Sequence, residues 1–349
     1  MNNRSRTWDV AVIGGGAAGL SAAVTLARSR RSVIVVDAGR PRNAPAEGVH
    51  NFLTRDGISA TELTAVGRDE LTSYGGTVIS GRAVAAQRTE TGFTVDVADG
   101  QKVNARKLLV ASGLTDTLPD IAGLRERWGR DVLHCPYCHG WEVRDQAIGV
   151  LGTGPGAVHQ ALMFRQLSDD VTLFLHTAPE PTEQQWEVLA ARGISVIDGL
   201  VAGVLVDDDR MTGVRLGSGD SFACQALVVA PLFSAHSEVL ESLELNPTEQ
   251  RAGEALLGSV FAADPSGATQ VPGVWVAGNV ADMYAGVINS AAAGFTAAAA
   301  INASLLDEDV RRVVDETRTA PTAPDVFSAA AATLGARRHR FPTESKVRQ

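Results

Sequence analysis

Two segments constrain what this chain can fold into more than anything else in it. Val10-Ala-Val-Ile13 runs into Gly14-Gly-Gly-Ala-Ala-Gly19, and Ala147-Ile-Gly-Val-Leu151 runs into Gly152-Thr-Gly-Pro-Gly-Ala157. In both, a short apolar run stops at a glycine turn and a helical pattern begins at once, over 17–29 and 156–167. A second β-branched run follows each helix, Ser32–Val36 and Val171–Leu175. Strand, glycine turn, helix and strand make the βαβ unit of a parallel sheet. Five further runs read as strands: Phe93–Val97, Leu108–Ala111, Ile194–Ile197, Leu227–Ala230 and Val274–Ala277. Phe93–Val97 and Val214–Leu216 lie beside polar turns and are expected as antiparallel additions.

Two such units far apart predict an α/β protein with two Rossmann-like, doubly wound domains, the second inserted in the first. Breaks at Leu114–Pro119 and Asn246-Pro247 place the first domain at 1–116 and 246–306 and the second at 117–245. From Asp307 the chain changes character, and 307–349 is expected as a helical or frayed C-terminal extension. Length agrees with about two domains. With 45% hydrophobic residues the chain can bury a sizeable core. The net charge is −9. The last thirteen residues carry +4, which leaves −13 on the remainder. That balance disfavours a nucleic-acid or anionic-membrane binder. The N-terminal apolar run breaks into glycines too soon for a signal peptide. The alanine-rich stretch Ser290–Ala303 is interrupted by Gly294 and Asn302, so no membrane span is expected. The default location is the cytoplasm.

The first fingerprint carries its full context. Gly14 permits the tight turn, Gly16 lets backbone approach a pyrophosphate, and Gly19 lets helix and strand pack closely. The phosphates would sit at the helix N-terminus, around Ala17 and Ala18. Asp37 ends the second strand eighteen residues after Gly19, placed to accept from a free ribose hydroxyl. The implied ligand is FAD or NAD.

Three cysteines are too few for a disulfide framework. Two of them stand in His134-Cys135-Pro136-Tyr137-Cys138-His139. C-x-x-C brings two sulfurs together across one helical turn, so the pair can cycle between dithiol and disulfide. The flanking histidines, His134 and His139, can move the proton that exchange requires. Structural zinc would need four ligands from these six residues or from the distant Cys224, so no metal is expected. Cys224 reads as a small buried hydrophobe. His50 and His176 are single histidines that nothing in the sequence distinguishes.

From Asp9 to Leu306 the chain resembles the FAD-dependent thioredoxin reductase-like enzymes, the short form of the pyridine nucleotide–disulfide oxidoreductases. The order matches: fingerprint, Asp37, His50-Asn51-Phe52, the Ala-Ser112-Gly113 strand end, the CxxC, a second fingerprint, then Val271-Pro-Gly-Val-Trp-Val-Ala-Gly278-Asn279. The resemblance implies FAD, bound also by Ala38, Val84, Ser112, Gly113 and Gly278. It implies Asn51 near the flavin ring, Asn279 near the ribityl chain where most members have an acid, and Val287 and Ile288 at the pyrimidine edge. Cys138 would be the thiol nearest the flavin, Cys135 the one that engages substrate, and His139 the acid/base where relatives usually have aspartate. Homodimerisation is implied as well.

NADPH is doubtful. Relatives that use it grip the 2′-phosphate with a histidine and two arginines after the strand that here ends at Leu175. This chain has His176-Thr-Ala-Pro179, with neither arginine nor acid. Histidines on both sides of the CxxC, combined with that departure, are similar to the dithiol oxidase subgroup of natural-product pathways, which passes electrons from flavin to oxygen. The substrate would then be a small-molecule dithiol. The alternative is NADPH-driven reduction of a thioredoxin-like protein, and a flavin redox sensor without turnover is a third reading.

Overall fold

The computed structural model describes residues 6–235 and 237–319. The N-terminal part supplies β1 (Thr7–Ile13), α1 (Ala17–Arg28), β2 (Val33–Asp37), α2 (Ala60–Ser73), β3 (Thr77–Ser80), β4 (Ala83–Thr89), β5 (Gly92–Val97), β6 (Lys102–Val110) and β7 (Leu114–Thr117). The middle adds β8 (Val132–Leu133), α3 (Pro136–His139), β9 (Ile148–Leu151), α4 (Ala157–Phe164), β10 (Val171–Phe174), α5 (Glu183–Ala191), β11 (Ser195–Ile197), β12 (Val201–Asp207), β13 (Arg210–Leu216), β14 (Ser221–Ala223) and β15 (Ala226–Val229). The chain continues through β16 (Leu232–Ala235), α6 (Glu238–Glu241), β17 (Thr248–Ala252), β18 (Ala255–Val260), β19 (Val274–Val276) and α7 (Val287–Thr319).

The first large sheet runs β3-β2-β1-β6-β5-β4, with β19 also paired to β6. β1 lies parallel between β2 and β6, in the registers Val10↔Val33 and Ala11↔Leu108. β5 is antiparallel to β4 and β6. The second sheet runs β11-β10-β9-β15-β8 and is parallel throughout. β9 lies centrally, between β10 and β15. Each glycine turn thus leaves the carboxyl end of a central strand where the strand order reverses, the place where open α/β sheets bind ligands. β13 is antiparallel to β12 and β14. β7 and β16 pair antiparallel where the chain crosses into and out of the second sheet.

Period-two and continuous apolar runs account for the strands. Val10, Val12, Val33, Ile34, Val35, Leu108, Leu109 and Val110 are wholly buried, as strands covered on both faces must be. Trp8, Ile13, Ile34, Phe93, Leu108 and Val274 share one core cluster, and Ile148, Val150, Phe164 and Leu173 another. Cys224 is buried among Phe174, Val214 and Leu227, as a packing residue. Burial pushes its thiol up to about 12.

Residues up to Ile301 form one compact unit, and Asn302 begins a second. α7 continues to Thr319, so the expected helical extension is helical over its described part. The Ala320–Pro324 linker and the basic final thirteen residues lie outside the described residues. No helix among the described residues is long and apolar enough to cross a membrane.

Candidate active site

The carboxyl ends of both sheets open into one cavity of about 1700 Å³. Gly14, Gly16, Ala17, Ala18, Asp37, Asn51, Ser112, Gly113, Cys135, Cys138, His134, His139, Gly278, Asn279, Val287 and Ile288 all line it. Gly19, Ala38 and Val84 do not. Gly19 is buried against the turn, and a Cβ there would lie 1.9 Å from the Gly14 carbonyl oxygen. Val84 lies in β4 at a register shift between Ala83 and Ala85.

The first glycine turn is held open by its own acid. Asp37 Oδ1 accepts from Gly15 N at 3.0 Å, and its Oδ2 is 3.8 Å from the Arg68 guanidinium. Asp37 therefore braces the turn in addition to facing the cavity. Gly14 has φ +101°, and a Cβ there would meet the Ala111 carbonyl oxygen at 2.4 Å. No neighbour lies within 4 Å of where a Gly16 Cβ would stand. Gly16 caps α1 with no side-chain hydrogen bond and no acid follows in the first turn, so these amides are free to meet an anion.

The second turn is built differently. The loop after β10 folds back across it: Thr177 N donates to Gly152 O at 3.0 Å, and a Gly152 Cβ would meet Ala178 Cβ at 2.9 Å. His176 takes φ +48°, and its Nδ1 accepts from Val201 N at 3.1 Å. Burial lowers its pKa. Of the cavity-lining residues from 151 to 177, only His159 and His176 are basic. The residues present do not fit a 2′-phosphate.

β8 delivers the redox pair to the cavity. Its pairing with β15 (Val132↔Leu227, Leu133↔Val228) sends His134-Cys135 off the carboxyl edge of the second sheet. Cys135 caps α3 and Pro136 opens it, the position where a missing N–H costs nothing. Cys135 and Cys138 are joined as a disulfide with their Cα atoms 5.2 Å apart. Cys138 N donates to Cys135 Sγ at 3.2 Å.

Both flanking histidines are half-buried, and burial lowers the pKa of each. His134 Nδ1 lies 3.2 Å from the Val229 carbonyl, which can only accept, so the neutral ring carries its proton there and keeps Nε2 basic. Its ring meets Phe233 edge-on at 5.2 Å. Gln160 Nε2 donates to the His134 carbonyl at 3.1 Å. Around His139, Glu142 raises the pKa against the burial effect, and His50 lowers it.

Three residues that the sequence did not single out complete the wall. Arg42 binds Asp116 through Nε at 2.7 Å and Nη2 at 2.5 Å, and donates from Nη1 to Asn279 Oδ1 at 3.2 Å. Asn279 Nδ2 in turn donates to the carbonyls of Asp282 and Ala285 at 3.0 and 2.9 Å. A carboxylate could not donate to either, so an amide replaces the usual acid for a local reason. His50 sits between Asp56 and Glu142. The side chain of Asn51, expected beside the flavin, donates to the Tyr137 carbonyl and ties the His50 loop to α3.

The sequence profile of the pyridine nucleotide-disulphide oxidoreductases matches residues 8–300. The chain belongs to that family. The relatives carry the same name further. Thioredoxin reductase tcpT of Claviceps purpurea is 33% identical over 317 residues, covering 85% of this chain and 94% of its own. Among solved structures, HlmI superposes with a TM-score of 0.83 at 44% identity, over 91% of this chain and 98% of its own. An oxidoreductase from Agrobacterium tumefaciens superposes with a TM-score of 0.80 at 36% identity, over 86% and 99%. The protein is a flavin-dependent disulfide oxidoreductase of thioredoxin reductase-like fold. Its family uses FAD, and the open Gly16 approach, the uncapped α1 amides and Asp37 fit that cofactor. Among the described residues no cluster of three or more His, Cys, Asp or Glu could hold a metal ion.

Proposed function

We propose that this protein is a dithiol oxidase: it closes a disulfide in a small-molecule dithiol at Cys135 and Cys138, with oxygen as final electron acceptor. The observation that carries this reading is the second glycine turn. There the His176–Ala178 loop lies across Gly152, and no arginine stands ready for a 2′-phosphate. The natural electron source is then the thiol substrate. A reduced-thiol setting, hence the cytoplasm, and a homodimer accompany this reading.

Gly14, Gly16, Ala17 and Ala18 would hold the pyrophosphate of FAD, Asp37 its ribose, and Val287 and Ile288 would bring backbone amides to the flavin. Bound FAD supplies the two-electron acceptor that returns the cysteine pair to its disulfide. The remaining work belongs to side chains. A substrate thiolate attacks Cys135 Sγ, the Sγ–Sγ bond breaks, and Cys138 leaves as a thiolate. His139, neutral at pH 7 because burial disfavours its charged form, accepts a thiol proton and returns it to the departing sulfur. His134 provides a second neutral imidazole on the other side of the pair. The second substrate thiolate then attacks the substrate sulfur of the mixed disulfide and expels Cys135. The Cys138 amide, already bonded to Cys135 Sγ, stabilises that thiolate as it leaves. Two thiols lose two protons and two electrons, and the cysteine pair gains both.

One observation favours NADPH-driven reduction of a thioredoxin-like protein: Gly154 and Gly156 have open space at their Cβ positions, as a nucleotide turn requires. Anaerobic mixing separates the two readings through the flavin band near ~450 nm. Bleaching by a dithiol but not by NADPH is expected, and Cys138→Ser should abolish it. Rapid bleaching by NADPH with transfer to thioredoxin refutes the oxidase.

A further inference from the structure

Next to the redox pair stands a histidine held between two carboxylates. His50 Nδ1 is 3.2 Å from Asp56 Oδ1, and its Nε2 is 3.4 Å from Glu142 Oε1. Its ring meets that of His139 edge-on, 6.3 Å between centres. Asp56 Oδ1 also accepts from Asn51 N at 3.3 Å. The loop that carries these residues closes on itself through Gly57 N to Val49 O, 2.8 Å, and Val49 N to Ile58 O, 2.8 Å. It is fastened to α3 by the Asn51 side chain on the Tyr137 carbonyl. Glu142 comes from the turn that follows α3. His139, next to Cys138 in the chain, the His50 imidazole edge-on to it, and a carboxylate 75% exposed beyond follow one another from the cysteine pair toward water.

We propose that His50, held by Glu142 and Asp56, is a positioning residue that carries protons between His139 and solvent during thiol–disulfide exchange. The inference rests on the thiol-exchange reading of the cysteine pair and is independent of the electron acceptor. His139 takes the proton of an attacking thiol. A proton that is not returned to the departing sulfur passes by way of Glu142 to His50, whose two ring nitrogens face Glu142 and Asp56, and leaves through Asp56. The charged groups that face His50 are Asp56 from its own loop, Glu142 from the turn after α3, and His139 from α3 itself. Glu142 and His50 act on His139 in opposite directions, the first favouring its protonated form and the second disfavouring it.

The test uses the FAD-loaded protein without oxygen and dithiothreitol as the dithiol. Exchange is quenched in acid, and the opened Cys135–Cys138 pair is counted by alkylation and mass. His50→Gln should slow opening roughly tenfold, against ~100-fold for His139→Gln. The pH at which the rate reaches half its plateau should move up in His50→Gln and down in Glu142→Gln. Added imidazole should restore part of the His50→Gln rate. Asp56→Asn, at an exposed carboxylate, should slow exchange by a smaller factor in a folded protein. A His50→Gln protein with wild-type rate and pH profile overturns the proposal, and so do two variants whose profiles move the same way. A wild-type disulfide that no dithiol opens refutes the underlying thiol-exchange reading, and the relay with it.

Discussion

Gly16 and Gly19 belong to one motif, yet the structure gives them opposite burdens, and alanine at each should separate binding from folding. At Gly19 a Cβ would stand 1.9 Å from the Gly14 carbonyl oxygen and 3.2 Å from Val12 Cγ1. Real Cβ contacts essentially never fall under 3.0 Å, so α1 must open by at least 1.1 Å, the difference between 3.0 and 1.9. The atoms it would meet lie in the central strand and its turn, where β1 is held between β2 and β6. Overpacking of this kind costs about 1–3 kcal/mol. For a chain of this size that is a fall of roughly 1–4 °C in Tm. Gly16 has φ −81° and ψ −170°, which alanine adopts without strain, and its Cβ would enter empty space. The apoprotein of Gly16→Ala should therefore melt within about 1 °C of wild type, because no contact changes. The space it fills is the one a pyrophosphate must approach. Inserting a methyl there should weaken FAD by about 2 kcal/mol, roughly thirtyfold in Kd. Differential scanning calorimetry of apoprotein gives the first quantity, and flavin titration gives the second. A Gly16→Ala protein that binds FAD as wild type does, or a Gly19→Ala protein with unchanged Tm, refutes the division of labour.

Three further outcomes are expected. After reduction at pH 8, iodoacetamide should label Cys135 and Cys138 but spare Cys224, whose thiol is buried and pushed up to about 12; native labelling of Cys224 contradicts this. His134, His139 and His176 all have folded pKa values below the ordinary histidine value, so the unfolded chain binds more protons. Their contribution is complete above about pH 6.5 and is lost as pH falls through the folded values, so urea midpoints should drop between pH 7 and 5; a midpoint that rises on acidification refutes the assignment. His176→Arg should not confer reduction by NADPH, because the loop still covers Gly152, and it should cost about 1–3 kcal/mol by removing the acceptor of the buried Val201 N–H; unchanged stability with a gained NADPH response refutes it.

Much of the fold was legible because its strands are apolar and end at glycines. β2, β9 and β10 begin and end within a residue of where the pattern put them, β1 ends at Ile13 as expected but begins three residues earlier at Thr7, and α1 starts at Ala17. The antiparallel character expected for Phe93–Val97 and Val214–Leu216 is present. The pairs β7–β16 and β17–β18 were not legible. Leu114-Thr-Asp-Thr117 and Thr248-Glu-Gln-Arg-Ala252 are polar and short, and their strand form comes from the partner across the ladder. Helix α2 was also missed, although Ser59 accepts from Glu62 N as its cap. In the site, the cysteines and flanking histidines declared themselves by spacing. Arg42 and His50 did not, because each acts through partners distant in sequence: Asp116 and Asn279 for one, Glu142 for the other.

The two glycine turns show what a fingerprint can and cannot decide. Both have the first two glycines, the preceding strand and the following helix, with Ala157 in the second where the first has Gly19, and both lie at the carboxyl end of a central strand. Their ligands are decided by the chain that leaves the next strand. After β2 it is Asp37, whose carboxylate reaches Gly15 N and leaves the space beside Gly16 open. After β10 it is a histidine in the left-handed region, bonded to Val201, followed by Thr177 and Ala178 laid directly on Gly152. Opening that loop would break the Thr177–Gly152 and His176–Val201 hydrogen bonds, on the order of 1 kcal/mol each. A nucleotide would then have to supply that energy from its own contacts, with no arginine there to repay it. On the proposed reading, the same geometry that disfavours NADPH in one half of the molecule would leave the other half, and the cysteine pair beside it, to take electrons from a thiol.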